Sequence, residues 1–467
     1  MTTEERISEW MQGREDELVE ALAPLIAAES TRSEAKPGKP FGEGPALALE
    51  RAMELTKRWG FRTENHEGYV GTADLNDRED GLHILAHLDV VGAGDGWDTD
   101  PYCLVRDGDL IYGRGTDDDK GPLVAALLGM RCVRELGLPL TKNAKLIMGT
   151  DEESGSEDIA HYYANHPFAP YALSPDADFP VTNIEKAHYS PRFSASWEKT
   201  VSPGVRVLAL DGGIRVNVAP ANCTCLVENA DRTQLEVVLE RVSGETGVSL
   251  TAVYEGNTAK ITAVGVQAHA STPDEGKNAI TATLQALCAL PLAQGAAEKT
   301  VQQLHEIFPY GDNRGKALGI AMEDAVSGCL TLTFSMVHLD STGFWGVFDS
   351  RDPLCATEEN TCHVTEAKMA AFGWECKGSL GPAHAVDGES DFIKVLLNAY
   401  ETYTGRKGYC EAIGGGTYVH EIPGGVAFGA GEHDFDSHLH GANERARISQ
   451  LLKTAMIYAL VISKLCA

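Results

Sequence analysis

Three short stretches set acids and histidines in arrangements that suit hydrolytic chemistry. His87-Leu88-Asp89 closes a strongly apolar run, His83-Ile-Leu-Ala-His-Leu-Asp-Val-Val. A His there can bind a metal through one ring nitrogen, and an Asp two residues on can hold the other nitrogen. Gly113-Arg-Gly-Thr-Asp-Asp-Asp-Lys-Gly-Pro122 sets Asp117, Asp118 and Asp119 side by side. Adjacent carboxylates repel one another; a helix N-terminus eases that repulsion, and a bound cation eases it more. Gly149-Thr-Asp-Glu152-Glu153-Ser-Gly155 again follows an apolar run. Paired carboxylates can divide their labour, one ligating a cation while the other takes a proton from water. Ser174-Pro-Asp176-Ala and His440-Gly-Ala-Asn-Glu444 complete the set. His433 and His438 lie close to His440, and pattern alone does not choose among the three.

These residues need a scaffold that brings strand ends together. The first 30 residues read as a helix with apolar Ile7, Trp10, Met11, Leu18, Leu22 and Leu25. A second helix is expected from about Gly44 to Trp59, then a hairpin-like stretch near Tyr69. The continuously apolar His83–Val91 run reads as a buried strand of an α/β sheet. A short strand at Leu110-Ile-Tyr, a helix from about Lys120 to Leu136 and a strand at Ala144-Lys-Leu-Ile-Met-Gly follow. That alternation predicts a sheet with helices on its faces, whose strands bind ligands at their carboxyl ends. From Glu185 the texture becomes α+β and runs in two looser rounds, which predicts an inserted lid over 185–383 built from two similar halves. The first texture returns from His384, with a helix Ser390 to Tyr403, a Gly-rich turn at Gly414 and a last helix Asn443 to Lys464. The expected catalytic domain is therefore discontinuous, residues 1–184 plus 384–467.

Composition narrows the partners. The chain has 39 Lys+Arg against 68 Asp+Glu, a net charge of 39 − 68 = −29. A nucleic-acid binder needs a basic face, and attachment to anionic lipid needs one too; neither is expected. No run approaches the ~20 apolar residues that span a bilayer, and Gly121 to Met130 reads as a core helix. The N-terminus is acidic and amphipathic, unlike a signal peptide. The 11 cysteines show no CxxC pair, which fits reduced thiols. A soluble, cytoplasmic protein is the expectation.

In this order the motifs HLDVV, GRGxxDDKGP, GTDEESG, SPDA and GGGTY resemble those of the co-catalytic dinuclear zinc peptidases of the aminoacylase and carboxypeptidase G group. They look most like the bacterial carnosinase-like (Xaa-His) dipeptidase branch, and the resemblance covers essentially the whole chain. It implies a three-layer α/β/α catalytic domain with the inserted lid. It implies two divalent metal ions per chain, Zn²⁺ first, with Mn²⁺ or Co²⁺ admissible. His87 would bind the first metal, with Asp89 orienting its ring, and Asp176 would complete it. Asp118 would bridge both metals, because Asp118-Asp119-Lys120-Gly121 is the matching frame, and the Asp118–Asp119 peptide would be cis. Glu153 and His440 would complete the second metal. Glu152 would be the general base. Asp117 falls at a position the family does not reserve for a carboxylate and is read as a bystander.

The lid motif Gln267-Ala-His269-Ala-Ser-Thr-Pro273 resembles one whose His stabilises the oxyanion. Asn217 would contact substrate, and Arg351 would pair with its terminal carboxylate, a bidentate job suited to a guanidinium. Asp349 and Asp352 flank this Arg, where the family pattern has an apolar strand before it. Gly414, Gly415, Gly416 and Thr417 would line the pocket floor. The stretch Gly-Glu-His-Asp-Phe-Asp-Ser-His before Leu439 is richer in His and Asp than the family pattern. A doubled lid can supply the lid His within one chain, so a monomer is expected. The resemblance implies a dipeptidase acting on peptides with free termini. The competing reading is an N-acyl-amino-acid amidohydrolase of the same chemistry.

Overall fold

Along the strand Asp80–His87, Leu82, Ile84 and Ala86 enter one hydrophobic core while Leu85 enters another. The period-two alternation of a strand sends neighbouring side chains to opposite faces. The neighbouring strand Asn143–Gly149 repeats the pattern, with Leu146 and Met148 on one face and Ile147 on the other. The computed structural model describes residues 1–199 and 203–467. The chain divides into two units, Met1–Ile184 with His384–Glu411 and Gly416–Ala467, and Glu185–Ala383 with Ala412–Gly415.

In the first unit the sheet order is Arg62–His66, Val70–Asp74, Asn143–Gly149, Asp80–His87, Tyr171–Ser174, Val426–Ala427, Val181–Glu185 and His384–Ala385. Asp80–His87 runs parallel to both Asn143–Gly149 and Tyr171–Ser174. The larger core lies between the sheet and helices Thr3–Met11, Glu15–Ile26, Glu43–Arg58, Lys120–Glu135, Asp391–Thr404 and Ile448–Leu465. The opposite face is covered by Glu157–Tyr163 and Tyr418–Glu421, through Ile159, Tyr162, Tyr418 and Ile422. This is the three-layer α/β/α arrangement. Against the expectation that no run approaches spanning length, Ile448–Leu465 is long and apolar enough to cross a membrane, at a mean hydropathy of 1.3, yet most of it is buried in this core.

Two local expectations are corrected. The N-terminal segment is two helices, broken at Gly13, whose φ of +71° ends the first. The last helix begins at Ile448 instead of Asn443, because Arg445–Arg447 pairs as a strand with Leu110–Tyr112.

In the second unit one antiparallel sheet carries both rounds of the sequence. Its order is Ser249–Glu255, Thr258–Val264, Asn222–Glu228, Arg206–Gly212, Thr331–Leu339, Gly343–Asp352, Arg192–Ser196 and Glu375–Lys377. The halves meet where Leu210 pairs with Leu339. Helices Arg232–Thr246 and Ala279–Cys288 belong to the first half and His363–Phe372 to the second, while Ala296–Ile307 packs against Ala279–Cys288 and the strand Arg206–Gly212. Phe193, Phe308, Phe334 and Trp374 stack at the centre of its core, with Phe348 tilted against Phe308.

Candidate functional site

Three adjacent parallel strands end together, with His87 paired to Gly149 and Ile84 to Leu173 in the registers. His87 ends its strand, Glu152 and Glu153 follow Gly149, and Asp176 follows Ser174. Asp118 and Asp119 stand just before the buried helix Lys120–Glu135. The acids and His87 therefore converge at the carboxyl edge of the sheet, the place where open α/β sheets bind ligands.

Two groups of possible ligands form there, His87 with Glu152 and Asp176, and Asp118 with Glu153 and His440. Within each, the ligand atoms lie within 4.8 Å of one another. Asp118 faces both histidines: Oδ1 is 2.8 Å from His87 Nε2 and Oδ2 is 2.8 Å from His440 Nε2. His440 Nε2 is also 3.2 Å from a Glu153 oxygen, and His87 Nε2 is 3.7 Å from Asp176 Oδ2. Of the three neighbouring histidines, only His440 reaches this cluster among the described contacts. His433 sits between Asp178 and Glu411 at 3.0 and 3.2 Å. His438 Nδ1 is 3.0 Å from the Ala442 carbonyl, and its other nitrogen faces Asp436. The peptide Asp118–Asp119 is cis.

The supports are as specific as the ligands. Asp89 is buried, and its carboxylate accepts the N–H groups of Glu152 and Glu153 at 3.1 and 3.0 Å. Its Oδ1 lies 3.5 Å from His87 Nδ1, and its own carbonyl lies closer, at 3.0 Å. Asp89 thus fixes the acidic turn more directly than it fixes the ring. Asp119 accepts the His87 N–H, and Lys120, fully buried, donates to the carbonyls of Leu25 and Ala28. Burial pushes that lysine down to about 7. Asp117 stays outside both ligand groups, and burial lifts its carboxyl to about 7. Gly115 adopts φ +92°, and a Cβ there would come within 2.9 Å of the Lys120 side chain. Sequence reasoning missed four supports. Tyr418 stands edge-on to His87 and donates to Asp158, which in turn accepts the Thr150 and Asp151 N–H groups. Arg114 and Glu444 form a buried pair behind Asp118. The only signal for Tyr418 and Glu444 was their place inside the GGGTY and HGANE stretches.

The electrostatics ask for cations. Burial, together with neighbouring charge, holds the carboxyls of Glu152, Glu153 and Asp176 above their usual range. Burial alone would depress His440, but hydrogen bonds to Asp118 and Glu153 outweigh it and raise its pKa to about 10. Asp118 is pulled low by the same two histidines against its own burial. One imidazole and two carboxylates per group, with His87 and Asp118 buried and His440 at the open side, are crowded enough to retain protons and fit two divalent cations that would replace them.

The second unit gathers Asn217, His269, Arg351, Gly414 and Gly415; Gly416 and Thr417 belong to the first. The Asn217 carbonyl accepts the Ala270 N–H at 2.9 Å, and Val218 pairs with His269. His269 Nδ1 is 2.6 Å from Ser271 Oγ and accepts the Ser271 N–H at 3.3 Å. A Cβ on Gly414 would lie 2.8 Å from the Ser271 Cβ and 3.2 Å from the Arg351 Cβ, so only glycine permits this approach. Arg351 Nη1 donates to the Gly414 carbonyl. Thr417 caps the turn Tyr418–Glu421 by accepting the Val419 N–H. The unexpected Asp349 is buried and holds Arg351.

Residues 83–464 match the family model described as peptidase family M20/M25/M40. The "Putative dipeptidase YtjP" of Bacillus subtilis (strain 168) is 31% identical over 457 residues, covering 97% of this chain and 98% of that protein. The "Beta-Ala-Xaa dipeptidase" of Lactobacillus delbrueckii subsp. lactis is 31% identical over 462 residues, covering 98% and 97%. Among solved structures, human carnosine dipeptidase 1 superposes with a TM-score of 0.60 at 16% identity, covering 100% of this chain and 99% of that one.

Proposed function

The chain belongs to peptidase family M20/M25/M40, and from that premise we propose that it is a dinuclear metal-dependent dipeptidase acting on peptides with free termini. The observation that carries the reading is Asp118, whose two oxygens each face one histidine at 2.8 Å. A carboxylate so placed is suited to sharing itself between two ions. His87 and Asp176 would hold the first ion with Asp118, and Glu153 and His440 the second.

Two divalent cations, when bound, supply Lewis acidity toward a water and toward the scissile carbonyl. Glu152 takes a proton from the attacking water and passes it to the leaving amine, a role suited to a carboxyl that burial lifts above its usual range. His269 donates Nε2–H to the oxyanion of the tetrahedral intermediate. Arg351 receives the terminal carboxylate of the substrate, and Asn217 and the Gly414–Thr417 turn contact its backbone. Zinc suits mixed His/carboxylate ligation. A chain that carries both lid halves itself supports action as a monomer. Eleven free cysteines support a reducing, cytoplasmic setting.

Metal analysis and a substrate panel on one purified sample test this. Two transition-metal ions per chain and turnover of dipeptides are expected. Turnover confined to N-acetyl amino acids would replace the dipeptidase reading with the amidohydrolase one, and an active enzyme without transition metal would remove the mechanism.

A further inference from the structure

Arg114 and Glu444 are 330 residues apart in the chain, and their side chains are 1% and 0% exposed. Glu444 Oε2 accepts from Arg114 Nη1 at 2.7 Å. Both its oxygens lie 3.0 Å from the Gly115 nitrogen, and Oε1 accepts the N–H groups of Asp117 and Asp118 at 2.9 and 3.2 Å. One carboxylate thus collects the backbone donors of the acidic loop that ends in Asp118. Arg114 works in the other direction. Its Nη2 donates to the carbonyls of His440 and Gly441 at 3.2 and 3.1 Å. The Gly113 N–H donates to the Glu444 carbonyl at 3.0 Å, closing the link through the backbone.

The loop so held is strained. His438, His440 and Asn443 have φ values of +57°, +57° and +61°, in the left-handed region that non-glycine residues rarely occupy. Such a conformation persists only where its surroundings over-determine it. The pair supplies that determination at His440 and, through the same carboxylate, at Asp118.

We infer that Arg114 and Glu444 are positioning residues for one metal of the pair, the ion of Asp118, Glu153 and His440, an inference that rests on the dinuclear reading above. Neither residue touches substrate or reacting atoms. Their bonds reach the backbones of two of the three ligands in that group. His87, Glu152 and Asp176 hang on other supports, with Asp89 and Asp119 bonded to the backbones of the first two. Asp118 is shared, so Glu444 bears on both ions, but the bond from Arg114 to the His440 carbonyl bears on the second alone; the pair therefore weighs more on that ion, in addition to whatever it contributes to folding.

Stepwise metal affinities test this. The full-length chain is stripped by chelation and titrated with Zn²⁺ against a chromophoric chelator, as wild type, Glu444→Gln and Arg114→Lys. Gln places an NH₂ where an acceptor is needed, and Lys keeps the charge but loses the fork that reaches His440. One of the two binding steps should weaken by about 10–100-fold in each variant, the size expected for a lost outer support, and the other step clearly less. Thermal melts of the stripped proteins verify that each variant is folded; if Glu444→Gln is not, Arg114→Lys carries the test. Unchanged affinities in a folded variant overturn the inference, and so does equal weakening of both steps. A wild-type chain that takes up fewer than two ions fails earlier and differently, because it removes the dinuclear reading itself.

Discussion

The Asp349 carboxylate grips the Arg351 guanidinium along one edge, with Oδ1 2.7 Å from Nε and Oδ2 3.0 Å from Nη2. The two residues are i and i+2 on the strand Gly343–Asp352, so they share a face. The acid that interrupts the apolar pattern before Arg351 is what aims it. Asp349→Asn removes the charge and one acceptor. A charge-assisted bond contributes ~1.5–3 kcal/mol, so kcat/KM for dipeptides should fall about 10–100-fold, mostly through KM. Steady-state kinetics on dipeptides and on their C-terminal amides check it; amides, which lack the carboxylate, should be affected far less.

The Ser271 N–H can only donate, so His269 Nδ1 is the acceptor in that contact and the neutral ring carries its proton on Nε2. On the proposed mechanism, His269→Ala removes an oxyanion donor. The expected loss in kcat is about 10²–10³-fold, with two ions per chain retained. Loss of metal together with activity would show a structural role instead.

Glu152 lies among the ligand atoms of the first group yet is assigned the proton transfer. Glu152→Gln keeps the shape and removes the proposed base. Turnover should drop about 10²–10⁴-fold while metal analysis still finds two ions. A variant near the wild-type rate would sink the assignment.

The site crowds Asp118, Glu152, Glu153 and Asp176 together, and like charges there oppose folding when no cation is bound. Chelation should lower Tm. Adding Zn²⁺ back should raise it with concentration, the stabilisation reaching ~2.7 kcal/mol per site at 100 times Kd. Calorimetry on stripped and reloaded protein reads this directly.

Away from the site, burial pushes the Asp80 carboxyl up, but hydrogen bonds from His83, Lys145 and Asn143 outweigh it and hold the group well below the usual range. A depressed folded pKa stabilises above the unfolded value, ~4, and that stabilisation is lost as the pH falls through and below it. Asp80→Asn should therefore cost about 1–2 kcal/mol at pH 7, and the gap to wild type should narrow steadily below pH ~4. Urea unfolding at several pH values measures it.

The sequence by itself determined the candidate ligand motifs and the scaffold under them. His87, Glu152, Glu153 and Asp176 each follow a buried apolar strand closely in the chain, so local pattern located them, and strand–helix alternation implied the edge where they meet. Side-chain alternation is a local property, which is why the layers were legible too. Tertiary structure decided what depends on distant partners. It set His440 beside Asp118 and Glu153, where the described contacts of His433 and His438 do not reach. It gave Asp349 a purpose through Arg351 and divided the Gly414–Thr417 turn between the two units. It also turned Glu444 from an expected helix residue into a buried acceptor for a loop more than 300 residues away. A carboxylate's role is set by the donors that surround it, and for Glu444 those donors come from the far end of the chain.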